Sequence, residues 1–450
     1  MSMSSRLSIA GLREAASQEA PRGPPGHAPA GRDGLTGLID RPGLMAAVRH
    51  LLAEGRPLAL VLVHVDRLQQ FNGSFGRETG DRLLTQLARH LETLAGTDGL
   101  AARLGGARFG LVVPDLADMH ALGSMARDAA SLVAQTVVDR SSAVTLGCVV
   151  GAAMAPADAS TAEALIRKAE LALFTVRAGS RSNWAIYRPS LLAALSEAIH
   201  AGVAAGQFSL NFQPIVTLAE PRSVVAVEAL LRWLHPNRGL LFPPEFHGLL
   251  EEPGPAERIS RSVLDLAIRQ ARRWTDEAID FGRMSVNLSV QAALDPALGE
   301  QVSATLARHG VAPGRLMLEI PEEVRLGAVD SGLADRLQGL RDIGVSIALD
   351  GFSGSNASLD ELKAIPFDLL KLDRGDTQDR FAAGRLAELL AAAPARGITV
   401  VLEGIDDAAM VPGLIELGAR HAQGYLFRRP MPAPKLAEWL RAQAAARARA

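Results

Sequence analysis

The chain has 450 residues, of which 48% are hydrophobic, and carries 47 basic and 49 acidic side chains. This length predicts two or three domains, and the hydrophobic content excludes wholesale disorder, because disordered chains lack the apolar surface to offset the entropy of ordering. The net charge of -2 leaves no basic excess for a nucleic-acid backbone or an anionic membrane surface. Nucleic-acid binding is therefore disfavoured.

The beginning of the chain lacks the apolar segment of a signal peptide, and Pro21 to Gly34 is dense in proline, glycine and alanine. We predict a disordered tail over residues 1–34. No later segment reaches about eighteen uninterrupted apolar residues, so we expect no membrane span. The single cysteine, Cys148, lies in an apolar run and has no partner for an internal disulfide, which predicts a cytoplasmic protein.

Helical and strand-like hydrophobic patterns alternate from Arg41 onward, which predicts an α/β domain over residues 35–187. In chain order, the predicted elements are a helix at Leu44–Ala53, a strand at Leu58–Val65, a helix at Asp81–Leu94, a strand at Phe109–Val113, a helix at Asp118–Val137, a strand at Val144–Gly151 and a helix at Thr161–Arg177. Pro189 then stands in the first turn of a further helical pattern, and we predict a helical linker over residues 188–206.

Short apolar strands recur after the linker, and helical segments separate most of them. They are Phe208–Val216, Val224–Leu231, Met284–Leu288, Leu316–Ile320, Ser346–Leu349, Leu369–Leu372 and Thr399–Leu402. This repeat predicts a TIM-like (β/α) barrel over residues 207–450, and such a barrel keeps its chemistry at the carboxyl ends of its strands.

Polar side chains lie in or just after these strands, one to a unit. They are Glu228, Asn287, Glu319, Asp350, Lys371, Glu403 and Gln423. One carboxylate at a strand end is often only a loop or helix cap, but seven polar groups in register predict a shared site. The carboxylates and the Asn287 carbonyl are hard oxygen donors that suit Mg²⁺ or Mn²⁺, and Lys371 supplies charge for a phosphate or an attacking water. The site therefore indicates phosphodiester recognition.

The segment Glu228-Ala229-Leu230, followed by Leu231-Arg232-Trp233, resembles the signature of EAL domains, the cyclic di-GMP phosphodiesterase family. The resemblance runs from Phe208 to about Leu436 and continues, in family order, through Gln213-Pro214-Ile215, Val286-Asn287-Leu288-Ser289, Leu318-Glu319-Ile320, Lys371-Leu372-Asp373-Arg374, Glu403-Gly404 and Gln423-Gly424-Tyr425. It implies that one metal ion is held by Glu228, Asn287, Glu319 and Asp350. It also implies ligand contacts from Gln213, Arg232, Asn287, Lys371, Asp373 and Gln423, with Lys371 and Glu403 acting in catalysis.

The family has a second aspartate directly after the one at Asp350, where it binds a second metal ion, and this chain has Gly351 there. The loop from Ser353 to Asn356 departs from the family pattern as well. Loss of a group that merely supports a metal ligand typically costs about 10–100-fold in metal affinity or activity, so loss of a ligand should cost at least as much. We therefore expect ligand binding to outlast hydrolysis, unless Glu322 or Asp373 replaces the missing carboxylate.

The earlier domain resembles the GGDEF diguanylate cyclase family from Asp33 to about Asn183. The resemblance rests on Asp33-Gly34-Leu35-Thr36-Gly37-Leu38 with Arg41, on Phe71-Asn72, on Gly80-Asp81 and on Arg103-Leu104-Gly105-Gly106. Ala107 and Arg108 replace the acidic part of the name motif, and His64 stands where the family has a metal-binding aspartate. These losses imply that the domain is not a cyclase.

Asn72 and Asp81 match positions that contact guanine in the GGDEF family, so binding of a guanine nucleotide stays open. The alternative is structural: Asp81 caps the predicted helix Asp81–Leu94, and Asn72 shapes the turn before it.

Three functions are compatible with this sequence. In the first, the protein is a cyclic di-GMP receptor that needs no metal for binding, has room for one Mg²⁺ or Mn²⁺ ion, and acts on an unidentified protein partner. In the second it is an active or weak cyclic di-GMP phosphodiesterase, and in the third a protein-interaction scaffold that binds no nucleotide. The sequence is also compatible with a homodimer.

Overall fold

The computed structural model describes residues 31–66, 68–135, 147–176, 182–219, 222–322, 324, 332–352, 366–372 and 385–447. The chain divides into two units, one formed by Met1–Glu197 with Pro244–Leu249 and the other by Ala198–Pro243 with Leu250–Ala450. None of the helices in these ranges combines the length and the apolar character needed to cross a membrane.

The first unit is built on a five-stranded sheet. Its elements are α1 (Arg41–Ala53), β1 (Leu58–Val65), α2 (Leu68–Phe75), α3 (Arg77–Ala95), β2 (Leu100–Gly105), β3 (Arg108–Pro114), α4 (Met119–Gln135), β4 (Cys148–Ala155), α5 (Ala162–Thr175) and β5 (Trp184–Ile186). The strand order is β2-β3-β1-β4-β5, and only the β4–β5 pair is parallel. Strand β1 is central because its aliphatic run is buried on both faces, with only His64 partly exposed.

Two sequence interpretations in this unit are wrong. Helix α3 begins at Arg77, after Gly76, so Asp81 lies inside the helix and does not cap it. Asn72 lies in α2 and not in a turn. The reason is Gly80, a buried position within α3 where a Cβ would collide with the Asn72 side chain. Glycine is needed here for close packing, and it does not mark the end of a helix.

The tail predicted over residues 1–34 lies outside the described residues as far as residue 30, but its last part is structured. Both carboxylate oxygens of Asp33 accept from Arg103 Nη1 at 3.0 Å, and Asp33 Oδ1 also accepts from the Thr36 amide at 2.8 Å. The segment before α1 is thereby attached to the β2–β3 hairpin.

Helix α6 (Pro189–Ala204) forms where the linker helix was predicted, and the boundary between the two units falls within it, between Glu197 and Ala198. The later elements are β6 (Phe208–Thr217), β7 (Val224–His235), β8 (Gly239–Leu241), α7 (His247–Leu250), α8 (Pro255–Asp276), β9 (Arg283–Asn287), α9 (Val290–Leu294), α10 (Leu298–His309), β10 (Leu316–Pro321), α11 (Leu333–Asp342), β11 (Ser346–Asp350), β12 (Leu369–Leu372), α12 (Arg385–Ala392), β13 (Thr399–Leu402), α13 (Val411–Glu416), β14 (His421–Ala422), β15 (Met431–Pro432) and α14 (Ala433–Arg447).

Eight strands close into a barrel because β6 pairs with both β7 and β14. The prediction of a TIM-like barrel is confirmed, with one difference in topology. Strand β6 runs antiparallel to both neighbours, whereas β7 and β9 to β14 are parallel to one another. The short connection between β6 and β7 explains the difference, because parallel neighbours need a crossover of about a dozen residues or more.

The barrel interior contains an apolar layer formed by Ile215, Ala226, Met317, Ala348, Leu369 and Val401. Five of these residues, all except Ile215, belong to parallel strands. In each case the residue two positions further toward the carboxyl end is charged. These charged residues are Glu228, Glu319, Asp350, Lys371 and Glu403. Because side chains alternate along a strand, the apolar layer forms the floor under this charged group.

Candidate functional site

The charged residues above the apolar floor form one cluster around the Lys371 ammonium, which we call the carboxylate–lysine cluster. Lys371 is 1% exposed. Its Nζ lies 2.6 Å from Glu403 Oε1, 2.9 Å from Glu319 Oε2, 3.4 Å from Glu228 Oε2 and 3.9 Å from Asp350 Oδ1. One ammonium faces four carboxylates, so the cluster has a formal excess of negative charge when all groups are ionised.

Two amide side chains donate hydrogen bonds to the Glu228 carboxylate. Asn287 Nδ2 donates to Glu228 Oε1 at 2.7 Å, and Gln423 Nε2 donates to Glu228 Oε2 at 2.6 Å. Gln423 Nε2 is also 3.1 Å from Gln213 Oε1, and Gln213 Nε2 donates to the Arg428 carbonyl at 2.8 Å. The structure thus brings together four residues that the sequence assigned to one site, namely Gln213, Glu228, Asn287 and Gln423.

The buried charges shift each other's pKa values in opposite directions. Burial raises the pKa of Glu319 well above its usual range, and the nearby Glu228 carboxylate adds to the rise. Burial likewise raises the pKa of Glu403 to about 7, although Lys371 opposes the shift. Burial alone would raise the pKa of Glu228, but Lys371 and the two amide side chains hold it below its usual range. Such opposed shifts are typical of functional sites.

The pKa of Lys371 is raised well above its usual range, because the attraction of the carboxylates outweighs the effect of burial. The ammonium is therefore a permanent cation at neutral pH and contributes a fixed positive charge to the site.

The donor chemistry of the cluster fits a hard divalent cation, because carboxylate oxygens are abundant and negative charge is in excess. The positions of these side chains do not form a metal site. Within the described ranges, no three carboxylate, imidazole or thiolate side chains are placed so as to hold a metal ion together. Glu228, Glu319 and Asp350 point instead at Lys371, and the nitrogen of Asn287 faces Glu228. Metal binding by these four residues stays a prediction.

Arg232 lies in β7, on the same strand as Glu228, and is 6% exposed. Its Nη1 donates to the Leu231 carbonyl at 2.7 Å, and its Nε is buried without a hydrogen-bond partner. Within the described part of the chain, no carboxylate forms an ion pair with Arg232. Burial lowers the pKa of this guanidinium, but it stays charged at neutral pH. A buried cation with an unused N–H is a ready donor for an anionic ligand.

Gly351 follows Asp350 at the end of β11, with a φ of +68° and no atom within 4 Å of the place where a Cβ would stand. Its amide donates to Asp350 Oδ1 at 2.9 Å. Asp373 and the loop from Ser353 to Asn356 lie outside the described residues. Glu322, the other candidate for a replacement ligand, donates its backbone amide to the Asp350 carbonyl at 3.1 Å.

In the first unit, the positions predicted to have lost the cyclase metals meet at one end of the sheet. His64 in β1 pairs with Arg108 in β3, and Ala107 accepts the Val65 amide through its carbonyl at 3.0 Å. Gly105 and Gly106 form the turn of the hairpin with φ values of +103° and +56°. The glycine turn is therefore present, without carboxylates at the Ala107 and Arg108 positions.

Two residues of the site were missed by the sequence analysis. Ser285 is fully buried and donates its hydroxyl to Glu319 Oε1. Its position two before Asn287 in an apolar strand is a signal that alternation could have revealed. Phe242 follows β8, and its ring lies against the Arg232 guanidinium, with Arg232 Cζ 4.8 Å from the ring centroid. Nothing local in the sequence marks this contact, which depends on the pairing of β7 with β8.

The sequence of the chain also matches known protein families. The EAL domain profile matches residues 192–430, and the profile described as "Diguanylate cyclase, GGDEF domain" matches residues 30–183. The chain belongs to the EAL domain family and has a GGDEF domain before the EAL domain, as the resemblances implied.

Two relatives and one solved structure illustrate the similarity. The bifunctional diguanylate cyclase/cyclic di-GMP phosphodiesterase MucR of Pseudomonas aeruginosa is 31% identical over 89% of this chain and 59% of its own length. The cyclic di-GMP phosphodiesterase NbdA of the same species is 30% identical over 91% of this chain and 54% of its own. The chain thus spans little more than half the length of these relatives.

The solved structure is the PaMucR phosphodiesterase in complex with c-di-GMP. It is 34% identical and has a TM-score of 0.50, covering 54% of this chain and 99% of the solved chain. The similarity shows which ligand a related EAL domain binds.

Proposed function

We propose that this protein is a cyclic di-GMP receptor whose EAL barrel binds the dinucleotide and hydrolyses it poorly, and whose GGDEF domain does not produce it. On this proposal the bound state is read by a protein partner. Arg232 is the observation that carries the proposal, because this buried guanidinium has an Nε–H without a hydrogen-bond partner and no ion pair within the described ranges, and it can donate to an anion.

The ligand class follows from polar groups near Glu228, which lies four positions before Arg232 on β7. Gln213 faces Glu228 directly across the β6–β7 pair, and Lys371 supplies a permanent cation in the same barrel end. Cations and amides of this kind suit a phosphodiester with polar heterocycles. The related PaMucR phosphodiesterase was solved with c-di-GMP, and this chain keeps the arginine, lysine and amide positions that the family resemblance assigns to the ligand.

Impaired hydrolysis is proposed from Gly351. Glu228, Asn287, Glu319 and Asp350 would hold one divalent ion, which when bound supplies a polarised water and a counter-charge for the phosphate. The chain has no carboxylate at position 351 for a second ion. Binding through Arg232 does not depend on either ion, so we propose that it occurs without metal.

The test is isothermal titration of the full chain with cyclic di-GMP, once with a chelator and once with Mn²⁺, followed by product analysis. We expect binding under both conditions. Arg232→Ala should weaken it by about ten- to a hundredfold, since a hydrogen bond to a charged group contributes about 1.5–3 kcal/mol. The matched control is Arg269→Ala, an exposed arginine of α8 that should leave the affinity unchanged.

Two outcomes would contradict the receptor proposal. Absence of binding heat at high micromolar cyclic di-GMP would favour the nucleotide-independent scaffold. Rapid turnover by the unmodified protein in Mn²⁺ would favour a phosphodiesterase.

Hydrolysis of cyclic di-GMP is the second candidate function, and one observation favours it. Lys371 and all four carboxylates of the cluster are present and in contact, with Glu403 at a pKa of about 7, close to the value suited to a general acid or base. A Lys371→Met variant distinguishes the candidates, because it should abolish turnover if the protein is an enzyme.

A further inference from the structure

The contact between Phe242 and Arg232 has no counterpart in the family resemblance described above. It arises from the β7–β8 hairpin, in which Trp233 pairs with Leu241 and Leu234 with Leu240. The next position in this register places Phe242 opposite Arg232. Pro243 follows Phe242 and favours extended backbone at the residue before it, which keeps this register one step beyond the end of β8.

Phe242 contributes little to the core, since it is 46% exposed. Its ring centroid nevertheless lies 4.8 Å from Cζ of a guanidinium that is almost fully buried. A contact of this kind stabilises the charge through the ring quadrupole without using any of the five N–H groups of arginine. Nε of Arg232 therefore stays available for an anion while the side chain is held in place.

The remaining supports of Arg232 are weak. Nη1 of Arg232 donates a hydrogen bond to the carbonyl of the preceding residue, Leu231. Within the described ranges, no ion pair fixes the orientation of the guanidinium. An arginine side chain loses much rotamer freedom when it binds a ligand, so a group that fixes it beforehand increases affinity.

We propose that Phe242 is a positioning residue for ligand binding, holding the Arg232 guanidinium in the orientation that receives a phosphate. The inference rests on the proposed function, since it specifies how the arginine of that same site is prepared for cyclic di-GMP. Phe242 acts through Arg232 and does not itself contact the ligand.

The test is a double-mutant cycle on the full chain, using titration with cyclic di-GMP. Phe242→Leu should weaken binding about three- to tenfold, as expected for loss of a partly desolvated cation–π contact. Phe242→Tyr keeps the ring and should restore affinity to within about twofold of the unmodified protein. In an Arg232→Gln background, Phe242→Leu should have no further effect, because the residue it positions is gone.

A second measurement does not need the ligand. The Nε–H proton of Arg232 lies near an aromatic ring, so its NMR signal should be ring-current shifted in the unmodified protein and in Phe242→Tyr, and should move in Phe242→Leu. Thermal unfolding should be the same for all three proteins, since the ring is half exposed.

The outcomes separate this inference from the proposed function. Equal weakening by Phe242→Leu in both backgrounds would overturn the inference, because it would mean that Phe242 contacts the ligand directly. Unchanged affinity and an unchanged Arg232 signal in Phe242→Leu would overturn it too, while leaving the receptor function intact. If the unmodified protein binds no cyclic di-GMP, the proposed function fails and the inference fails with it, whatever the NMR signal shows.

Discussion

At the scale of single residues, Gly351 is the position on which the receptor and phosphodiesterase proposals differ. Its φ of +68° lies in the left-handed region, where aspartate and asparagine are the most readily accepted residues after glycine. No atom lies within 4 Å of a Cβ built there. The position can therefore accept a carboxylate at a modest cost in stability, roughly 1–2 kcal/mol.

We predict that Gly351→Asp raises the rate of cyclic di-GMP hydrolysis in Mn²⁺ by about tenfold or more, because it returns a carboxylate to a cluster that is otherwise complete. The gain should be smaller than that obtained by replacing the whole loop from Gly351 to Asn356 with the family pattern. Product formation is measured by chromatography.

Gly351→Asn is the matched control, since it has the same shape and backbone strain without the charge, and it should stay at the background rate. Glu228→Ala combined with Gly351→Asp should erase the gain. Fast turnover in the unmodified protein that Gly351→Asp does not change, and that Glu228→Ala abolishes, would contradict the assignment of Gly351 as the defect.

The residues of the cluster could be predicted from sequence because each lies two positions after an inward-facing apolar residue of a parallel strand, as Lys371 does after Leu369. The parallel register of the strands then brings these positions side by side at one end of the barrel. Ser285 obeys the same alternation but is a small polar residue among apolar neighbours, which sequence analysis treats as background. Phe242 could not be predicted, because its role depends on a hairpin register that adjacent residues do not specify.

At the scale of elements, the β2–β3 hairpin of the first unit is held by the segment that precedes α1. Arg103 donates to Asp33 and also, through Nη2, to the Gly106 carbonyl at 2.9 Å. One arginine thereby ties the glycine turn to the beginning of the domain. Burial alone would raise the pKa of Asp33, but the bonds from Thr36 and Arg103 hold it below its usual value of 3.8.

We predict that Asp33→Asn destabilises the first unit by about 1–2 kcal/mol at neutral pH, because it weakens hydrogen bonds to a charged group. The pKa of Asp33 is lower in the folded state, so its contribution is complete above pH 3.8 and is lost as pH falls through the folded value. The difference between the two proteins should therefore shrink on acidification below pH 4, as measured by urea unfolding.

Arg103→Gln serves as the background control, in which Asp33→Asn should cost much less. Equal stability of Asp33→Asn and the unmodified protein at pH 7 would show that the Asp33–Arg103 pair contributes nothing to the fold.

Elements with a strong hydrophobic pattern were predicted well. Strand β1 forms over Leu58–Val65 as expected, since eight residues of nearly continuous aliphatic side chains are buried on both faces. Strand β2 was missed, because Leu100–Gly105 contains alanines, an arginine and a glycine and takes its conformation from pairing with β3. Strand β14 has only two residues and exists because the barrel closes there. No local signal specifies such an element.

At the scale of the whole molecule, the two domains differ from their family patterns at different kinds of position. The GGDEF domain keeps its sheet and its glycine turn but has Ala107, Arg108 and His64 where the family resemblance requires acidic residues. The EAL domain keeps the whole carboxylate–lysine cluster and lacks one carboxylate. We therefore expect the molecule to bind cyclic di-GMP, the product of a diguanylate cyclase, without having cyclase activity itself.

We predict that the full chain incubated with GTP and Mg²⁺ or Mn²⁺ forms no cyclic di-GMP above background, because Ala107, Arg108 and His64 stand where the family resemblance expects carboxylates to hold the metal ions. Mass spectrometry of the nucleotides checks this. Product that forms in the unmodified protein and disappears in Gly106→Val would contradict the prediction, since it would place catalysis at the hairpin.

The reversed strand β6 also decides where the chain enters the barrel. Phe208, at the start of β6, pairs with Trp233 near the carboxyl end of β7, and the two rings stack with centroids 5.0 Å apart. Gly202, in the last turn of α6, lies close to both rings: a Cβ built there would be 3.3 Å from Phe208 Cε2 and 3.5 Å from Trp233 Nε1. The connecting helix therefore ends beside the neighbour of Arg232. If a ligand phosphate binds Arg232, we expect it to perturb first the last turn of α6, because Trp233 and Phe208 lie between the two.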